Sequence, residues 1–597
     1  MTGRQPASRS DNGAATPHDA LDPIGLEILA NGLRSVVDET FHSLMRSAYS
    51  TNIKERRDHS TGFLDASGRL ICQAAESLPI HLASMMGMVE RVLERHGDTL
   101  AEGDIFVAND PHTAGGTHLP DINMAMPVFV DGRLLGFMCN LAHHADVGGA
   151  VPGSMSGGLS EIYQEGLRIP AIRLFQGGNL LTDVMDLLLL NARVPTERRG
   201  DYFAQVAACR LGARRMEDIA GRYGADTLNR AFDRLIDATA RRLRQAVAEV
   251  PDGSYRFRDV MDDDGLGTTD FPIELTVTVA GERIIFDFTG TSTQVPGNIN
   301  ATLNSTQASV CYALKALLDP EVEHNQGVLD VAEIRTERGS LVDAVFPAPV
   351  AGRAHTCQRV VDVIIGALAD ALPRAAVAAA NGANTTAVFA GRDPRNGASY
   401  VYLETLGGGF GGRYARDGAD GVQVHITNTS NLPVEAIEME YPLRVESYGF
   451  VPDSGGAGRH RGGLGLRRVI RPIGHDAIFN GAGERFSNAP WGLAGGGEGG
   501  RGSFRKIAAD GSLTTLPAKP QRVDLHSGDA IIVQTPGAGG YGRPTERPAV
   551  ALGADLRSGK FSAGYLRSHY GDDAVAEAER LLEGRSAITS STTPDER

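Results

Sequence analysis

Any fold this chain adopts has to bring a glycine-rich loop and a distant strand end together, because each carries ligands of the kind that bind metal ions. The first stretch is Asp110-Pro-His-Thr-Ala-Gly-Gly-Thr-His-Leu-Pro-Asp121 and the second is Ala142-His-His-Ala-Asp-Val-Gly-Gly149. His118, an aspartate three residues on at Asp121, and His143 make the mixed nitrogen and oxygen set that suits Zn²⁺, Mn²⁺ or Fe²⁺. Three ligands leave coordination positions open for water or substrate, which is the arrangement of a catalytic rather than a structural site. One loop histidine alone reads better as an ordinary hydrogen-bonded residue. Three ligands beside Gly115-Gly116, which permits close backbone approach, read better as a site for one divalent ion. Asp58, in Glu55-Arg-Arg-Asp-His-Ser60, is a candidate fourth carboxylate ligand, with pairing to Arg56 or Arg57 as the plainer alternative. His144 and Asp146 are placed to be the partners that fix the tautomer of a ligating imidazole.

The pattern along the chain predicts a mixed α/β (α+β), multi-lobed fold, with helices and sheet in the N-terminal half and a β-rich, glycine-rich C-terminal half. Apolar residues from Leu26 to Ala48 recur at steps of three and four behind Asp22-Pro23, which is one face of a long helix. Gly62 to Leu70 reads as strand, turn and strand, Leu82 to Leu93 as helix, and Ile105–Ala108 and Gly136–Ala142 as buried strands delivering ligands from their C-terminal ends. A helix from Asp226 to Val250 precedes a change of character at Pro251, after which Ile273, Leu275, Val277 and Val279 alternate as in a strand. Helices are expected around Ala308–Leu318, Arg359–Leu372 and Leu552–Leu582. The organisation that follows is a disordered leader (1–20), a metal-bearing α/β domain (21–250), a mixed β/α region (251–397), a β-rich, glycine-rich region (398–545) and a helical tail with a disordered end (546–597).

Composition excludes several functions. A formal charge of −15 without a basic stripe argues against a nucleic-acid surface. Five cysteines without a Cys-x-x-Cys pair indicate neither a zinc ribbon nor a disulfide framework. A polar start and the lack of an apolar run near ~18 residues point to the cytoplasm and away from a membrane. Glycine supplies 73 positions, and two of its clusters, Gly407–Gly412 and Gly537–Gly542, fit Gly-x-Gly-x-x-Gly. Neither precedes a helical pattern, so both are expected to be sharp turns rather than dinucleotide sites. Asp262-Asp-Asp264-Gly265 lacks the spaced oxygens of a calcium loop and is expected to be an acidic hairpin. No phosphate-binding loop of the Walker type and no Gly-x-Ser-x-Gly elbow occurs, so chemistry that uses ATP needs another chain to bind it.

The same motifs carry a resemblance. Ile53-Lys-Glu-Arg-Arg-Asp58, Asn109-Asp-Pro111, Gly115 to Asp121, Ala142 to Gly149, Val151-Pro-Gly-Ser154, Gln164 to Pro170, Val295 to Asn300 and Ala489 to Gly496, taken together and in order, resemble the B subunit of the hydantoinase/oxoprolinase family. The resemblance implies an ATP-binding A-type partner subunit of actin-like fold, ATP with Mg²⁺ in that partner, and activation of a cyclic amide or a carbonyl compound. N-methylhydantoinase, 5-oxoprolinase, caprolactamase and the alpha subunits of acetone and acetophenone carboxylases are its relatives. It also implies one metal held at His118, Asp121 and His143 with Asp58 close by. The chain departs from the family pattern at His112 and at Arg353 and His355 in Val350-Ala-Gly-Arg-Ala-His-Thr-Cys-Gln358. If that stretch is a loop lining the pocket, it suggests a substrate with an anionic group.

Three readings stay open on sequence. The first is the metal-bearing subunit of an ATP-dependent hydrolase of a hydantoin, lactam or 5-oxoproline-like ring. The second is an ATP-dependent carboxylase subunit, disfavoured because such relatives are typically longer. The third is a non-catalytic scaffold whose metal locks the fold, which a closed four-ligand site would favour.

Overall fold

The computed structural model describes residues 21–590; the expected leader (1–20) and the last residues of the tail (591–597) lie outside the described residues. The first helix starts where the sequence pattern places it. The Asp22 carboxylate accepts from the backbone N–H of Gly25, and Pro23 fills a position where no amide donor is needed. This helix, α1 (Pro23–Ser47), buries Leu29, Leu33, Val36, Val37, Phe41 and Leu44. Its apolar face lies on an antiparallel sheet of seven strands: β1 (His59–Asp65), β2 (Leu70–Gln73), β3 (Ile105–Ala108), β4 (Asp121–Val130), β5 (Arg133–His143), β6 (Ile172–Gln176) and β7 (Asn179–Leu180), in the order β2-β1-β5-β4-β3-β6-β7.

Helix α2 (Leu82–His96) covers the opposite face, packing Met85, Met88, Val89 and Val92 on Leu64, Phe106, Phe137 and Leu141. Two long helices, α3 (Pro195–Tyr223) and α4 (Ala225–Ala248), complete the α1 layer, where Met216 and Phe232 meet Phe63, Val128 and Met138. With both faces covered, β1, β4 and β5 are buried along most of their length rather than on alternate residues. Helix α3 is absent from the sequence reading. Its buried side mixes small residues (Ala204, Ala208, Gly212, Ala213) with the polar Arg198, Asp201 and Gln205, which leaves little apolar periodicity.

The sheet's register sets up the ligand edge. Asp131 and Gly132 both have positive φ, which closes β4 and β5 into a tight hairpin of the twist that strands prefer. The hairpin places Asp121 directly opposite His143. Beside it, β1 pairs His59 with Ala142, so the starts of β1 and β4 and the end of β5 share one edge. The expectation that Ile105–Ala108 delivers ligands from its C-terminal end is therefore corrected: the chain leaves β3, loops through 109–120 and presents His118 and Asp121 at the start of β4.

A second sheet, β8 (Gly253–Asp263), β9 (Thr269–Ala280), β10 (Arg283–Asp287) and β11 (Ala332–Arg335), packs on α5 (Leu303–Leu318) and α6 (Arg353–Leu368). Helix α6 begins at Arg353 and not at Arg359. Its first turns are buried on every side, so no apolar stripe marks them. The residues Asp262 to Gly265 do form a hairpin turn, in which Asp264 accepts from the backbone of Leu266 and Thr268. The C-terminal half holds a four-stranded sheet that includes β12 (Thr385–Arg392) and β13 (Ser399–Leu406), and a five-stranded sheet. The tail is three helices, Ala549–Arg557, Ala563–Tyr570 and Asp572–Ser590, rather than one. Among the described residues no helix is long and apolar enough to cross a membrane.

The two glycine clusters correct the expectation of sharp turns. They are irregular segments laid side by side, with the N–H of Gly412 donating to the carbonyl of Gly539 and that of Gly409 to Pro536. Glycine is required because the backbones nearly touch: a Cβ on Gly411 would lie 1.8 Å from the Ala378 carbonyl oxygen, and one on Gly537 1.8 Å from that of Ser454. Only the short turn Pro544–Glu546 follows Gly542 before Ala549, so no helix N-terminus is aimed at a pyrophosphate. Titration of the protein with NAD or FAD should accordingly show no saturable binding, and micromolar binding would overturn this reading.

Candidate metal centre

The shared sheet edge turns three separate pieces of sequence into one cluster. His118, Asp121 and His143 are buried, and one ligand atom from each lies within 4.8 Å of the others. Among the described residues no other trio of His, Cys, Asp and Glu gathers this closely. The loop that presents His118 and Asp121 packs against α2: a Cβ on Gly115 would lie 2.1 Å from the carbonyl carbon of Gly87, in a backbone with φ of +72°. At that position glycine meets both a steric and a conformational demand.

Each side chain is held from a different direction. The Nδ1 of His118 lies 3.1 Å from the Ala351 carbonyl oxygen, which can only accept and so fixes the proton on Nδ1. The Ala351 N–H in turn donates to the buried Glu165 carboxyl at 2.7 Å. Asp121 Oδ2 accepts from Arg353 at 2.6 Å and from Thr117 at 3.1 Å. This leaves His118 Nε2 and Asp121 Oδ1 only 3.0 Å apart, yet neither atom has a hydrogen-bond partner. Two metal–ligand bonds of about 2.1 Å at a right angle would put their donor atoms about 3.0 Å apart. The two unpartnered lone pairs thus suit a common ion.

His143 is held differently. Asn52 Nδ2 donates to the His143 carbonyl at 2.7 Å and lies 2.9 Å from its Nδ1, while Nε2 meets Met155 Sδ at 3.2 Å. An amide N–H can only donate, so Nδ1 is the accepting nitrogen and Nε2 carries the proton. His118 and Asp121 fit a divalent ion as they stand, and His143 brings a ring nitrogen within 4.8 Å of both.

The electrostatics favour ligation. Burial, aided by the Arg353 charge, lowers the pKa of His118, and burial with the neighbouring His118 holds His143 well below the usual imidazole range, so both rings stay neutral. Burial works against the charge on Asp121, but its surroundings, the Arg353 cation at 2.6 Å among them, hold its carboxyl well below the normal range. Asp58 differs: burial outweighs the pull of Arg56 and pushes it up to about 6.

Asp58 lines the same cavity but stands outside the tight trio, 3.5 Å from the guanidinium of Arg56. Leu78, Ile80, His81, Met155, Arg353, Ala354, Asn384, Thr405 and Thr427 complete the wall. The space they leave for a water-sized body is about 20 Å³, enough for an ion or one water. A larger guest requires the wall to part, and the unbranched Met155 side chain is its most adaptable member.

The structure gives His144 and Asp146 other tasks, so the expectation that they steady a ligand imidazole is corrected. His144 Nε2 pairs with Gln205 Oε1 at 3.0 Å. Asp146 gathers its own loop, accepting from the backbone of Gly148, Gly153 and Arg193 and from the Arg193 guanidinium at 2.9 Å. The partners of the ligand imidazoles are the Ala351 carbonyl and Asn52. Arg353 and His355 lie in the first turn of α6 and not in a loop. Arg353 reaches the cavity, but Asp121 already answers its charge, and His355, with its pKa lowered to about 3 by burial, is absent from the wall. The suggestion of an anionic substrate therefore loses its basis. His81, missed in the sequence, lies 3.7 Å from Asp121 and 3.9 Å from Asp58.

The match to the hydantoinase B/oxoprolinase family model runs over residues 22–544. The chain belongs to that family. Within it, the caprolactamase subunit beta of Pseudomonas jessenii is 31% identical over 593 residues, covering 94% of this chain and 99% of its own. The crystal structure of the ATP-dependent caprolactamase from the same organism superposes with a TM-score of 0.87 at 29% identity, over 92% of this chain and 96% of the other. A nucleotide-free acetone carboxylase superposes with a TM-score of 0.85 over 96% of this chain and 84% of the other, and at 17% identity shares the fold.

Proposed function

We propose that this chain is the metal-bearing B-type subunit of an ATP-dependent hydrolase of a cyclic amide, a hydantoin, lactam or 5-oxoproline-like ring, working with a hydantoinase A-type subunit that binds ATP. The observation that carries this reading is the pair of unpartnered, converging atoms, His118 Nε2 and Asp121 Oδ1, beside His143 in a chain of full-length similarity to a caprolactamase subunit. Among the described residues only these three gather as ligands, and a three-ligand set leaves positions open, which favours catalysis over a structural role. The acetone carboxylase shares only the fold, so hydrolysis is preferred.

His118, Asp121 and His143 would hold one divalent ion, Mn²⁺, Zn²⁺ or Fe²⁺, which when bound supplies Lewis acidity toward water or the amide oxygen. The chain's own groups prepare the site. Burial keeps the imidazole lone pairs unprotonated, and Arg353 keeps Asp121 ionised and aimed. Asp58, near 6, is placed to take or give a proton close to neutral pH. Leu78, Ile80 and Met155 keep bulk water out. An unstrained amide resists water, and phosphoryl transfer from ATP in the partner would activate it.

The division of labour is testable. The purified chain alone is expected neither to hydrolyse ATP nor to open a lactam, and both activities are expected when the A-type partner is added. ATPase activity of the lone chain at the level of the complex would refute the assignment.

A further inference from the structure

The wall facing the ligand trio holds a carboxamide whose oxygen the protein leaves idle. Asn384 lines the cavity with 9% of its surface exposed, and its Oδ1 is buried without a hydrogen-bond partner. Its neighbours on that wall are occupied: Thr405 Oγ1 accepts from Arg56 at 2.6 Å and Thr427 Oγ1 from Gln358 at 3.3 Å. Buried acceptors are normally paired, and an unpaired one costs stability until a partner arrives. Nor is this a floppy residue. It stands immediately before β12, its carbonyl accepts from Thr386 Oγ1 at 3.0 Å, and the N–H of the preceding Ala383 donates to Asn381. Rigid backbone aims the carboxamide.

We propose that Asn384 reads the substrate's ring amide, its carboxamide forming two parallel hydrogen bonds that a cis amide can return and a trans peptide cannot. A primary carboxamide presents an acceptor and a donor on one edge. In a small ring the amide is held cis, so its N–H and C=O also project from one edge, in complementary order. An ordinary peptide bond is trans and points these groups to opposite sides. Asn384 Oδ1 accepts the ring N–H, and its Nδ2–H donates to the ring carbonyl. The same contact that binds a lactam or hydantoin therefore rejects linear peptides. The inference rests on the cyclic-amide reading and adds to it the residue that recognises the amide.

The test uses the metal-loaded complex with its ATP-binding partner and three probes, hydantoin, ε-caprolactam and 5-oxoproline, each also methylated on the nitrogen of the scissile bond. For whichever ring is opened, methylation should cost the wild type roughly 10- to 100-fold in kcat/KM, the worth of one or two buried hydrogen bonds. Asn384→Leu should lose a similar factor on the unmethylated ring, chiefly through KM, and should barely distinguish the two forms. Its metal content should match the wild type. Should that variant fail to assemble, Asn384→Ser, which cannot bridge both groups, takes its place. A variant that keeps wild-type kcat/KM and the preference for the N–H ring overturns the role of Asn384 while leaving ring hydrolysis intact. A wild-type complex that opens none of the rings defeats both.

Discussion

Changing either His118 or His143 to alanine is expected to strip the chain of its divalent ion and to abolish turnover in the reconstituted complex. Changing residues that merely support a ligand commonly weakens metal binding by about 10- to 100-fold, so removing one of three direct ligands should exceed about 100-fold. Two remaining ligands hold an ion poorly, even where water fills the space that the imidazole leaves. Asp58→Ala should have a smaller effect on occupancy, because Asp58 stands outside the trio. Elemental analysis and thermal unfolding with and without added Mn²⁺ or Zn²⁺ provide the readouts. A wild-type protein bathed in ~1,000 times its Kd of ion gains about 4 kcal/mol of stability, a gain the histidine variants should lack. If both variants keep full metal, normal folding and wild-type turnover, the site lies elsewhere.

What could be read from sequence follows from how locally each feature is written. His118, Asp121 and His143 are legible because two short stretches crowd ligand-type residues beside glycines. The register that joins them is not, since it depends on the unpredicted strand β4 and the turn at Asp131-Gly132. The partner of His144 is hidden from the sequence for a related reason. Successive residues at a strand end point to opposite sides, so the neighbour of a ligand in sequence is turned toward Gln205 rather than toward the ion. His81, Asn384, Thr405 and Thr427 come from four distant segments, and none carries a local mark. Arg353 stood out only as a departure from a family pattern, and its partner 232 positions away was invisible. The glycine clusters read as sharp turns in sequence, because which backbones approach one another is a property of the assembled fold.

Arg353 carries the other large effect, and it should appear in stability before it appears in chemistry. Its side chain is 4% exposed and donates to Asp121, itself fully buried, at 2.6 Å, tying the first turn of α6 to the ligand edge of the N-terminal sheet. Arg353→Met keeps the length of the side chain and removes the charge, leaving the Thr117 hydroxyl as the side-chain donor to the Asp121 carboxylate. Breaking one side of a buried pair typically costs about 3–5 kcal/mol, because the remaining charge cannot return to water. In the metal-free protein this corresponds to a fall of roughly 6–20 °C in the unfolding midpoint if the affected unit has about 150–250 residues. Asp121→Asn combined with Arg353→Met should lose less than the two single changes added together, since a neutral amide no longer calls for the cation. Unfolding midpoints of the wild type, both single variants and the double variant decide the matter. Additive losses, or an Arg353→Met protein within about 1 kcal/mol of the wild type, would mean that Arg353 does not hold the ligand carboxylate in place.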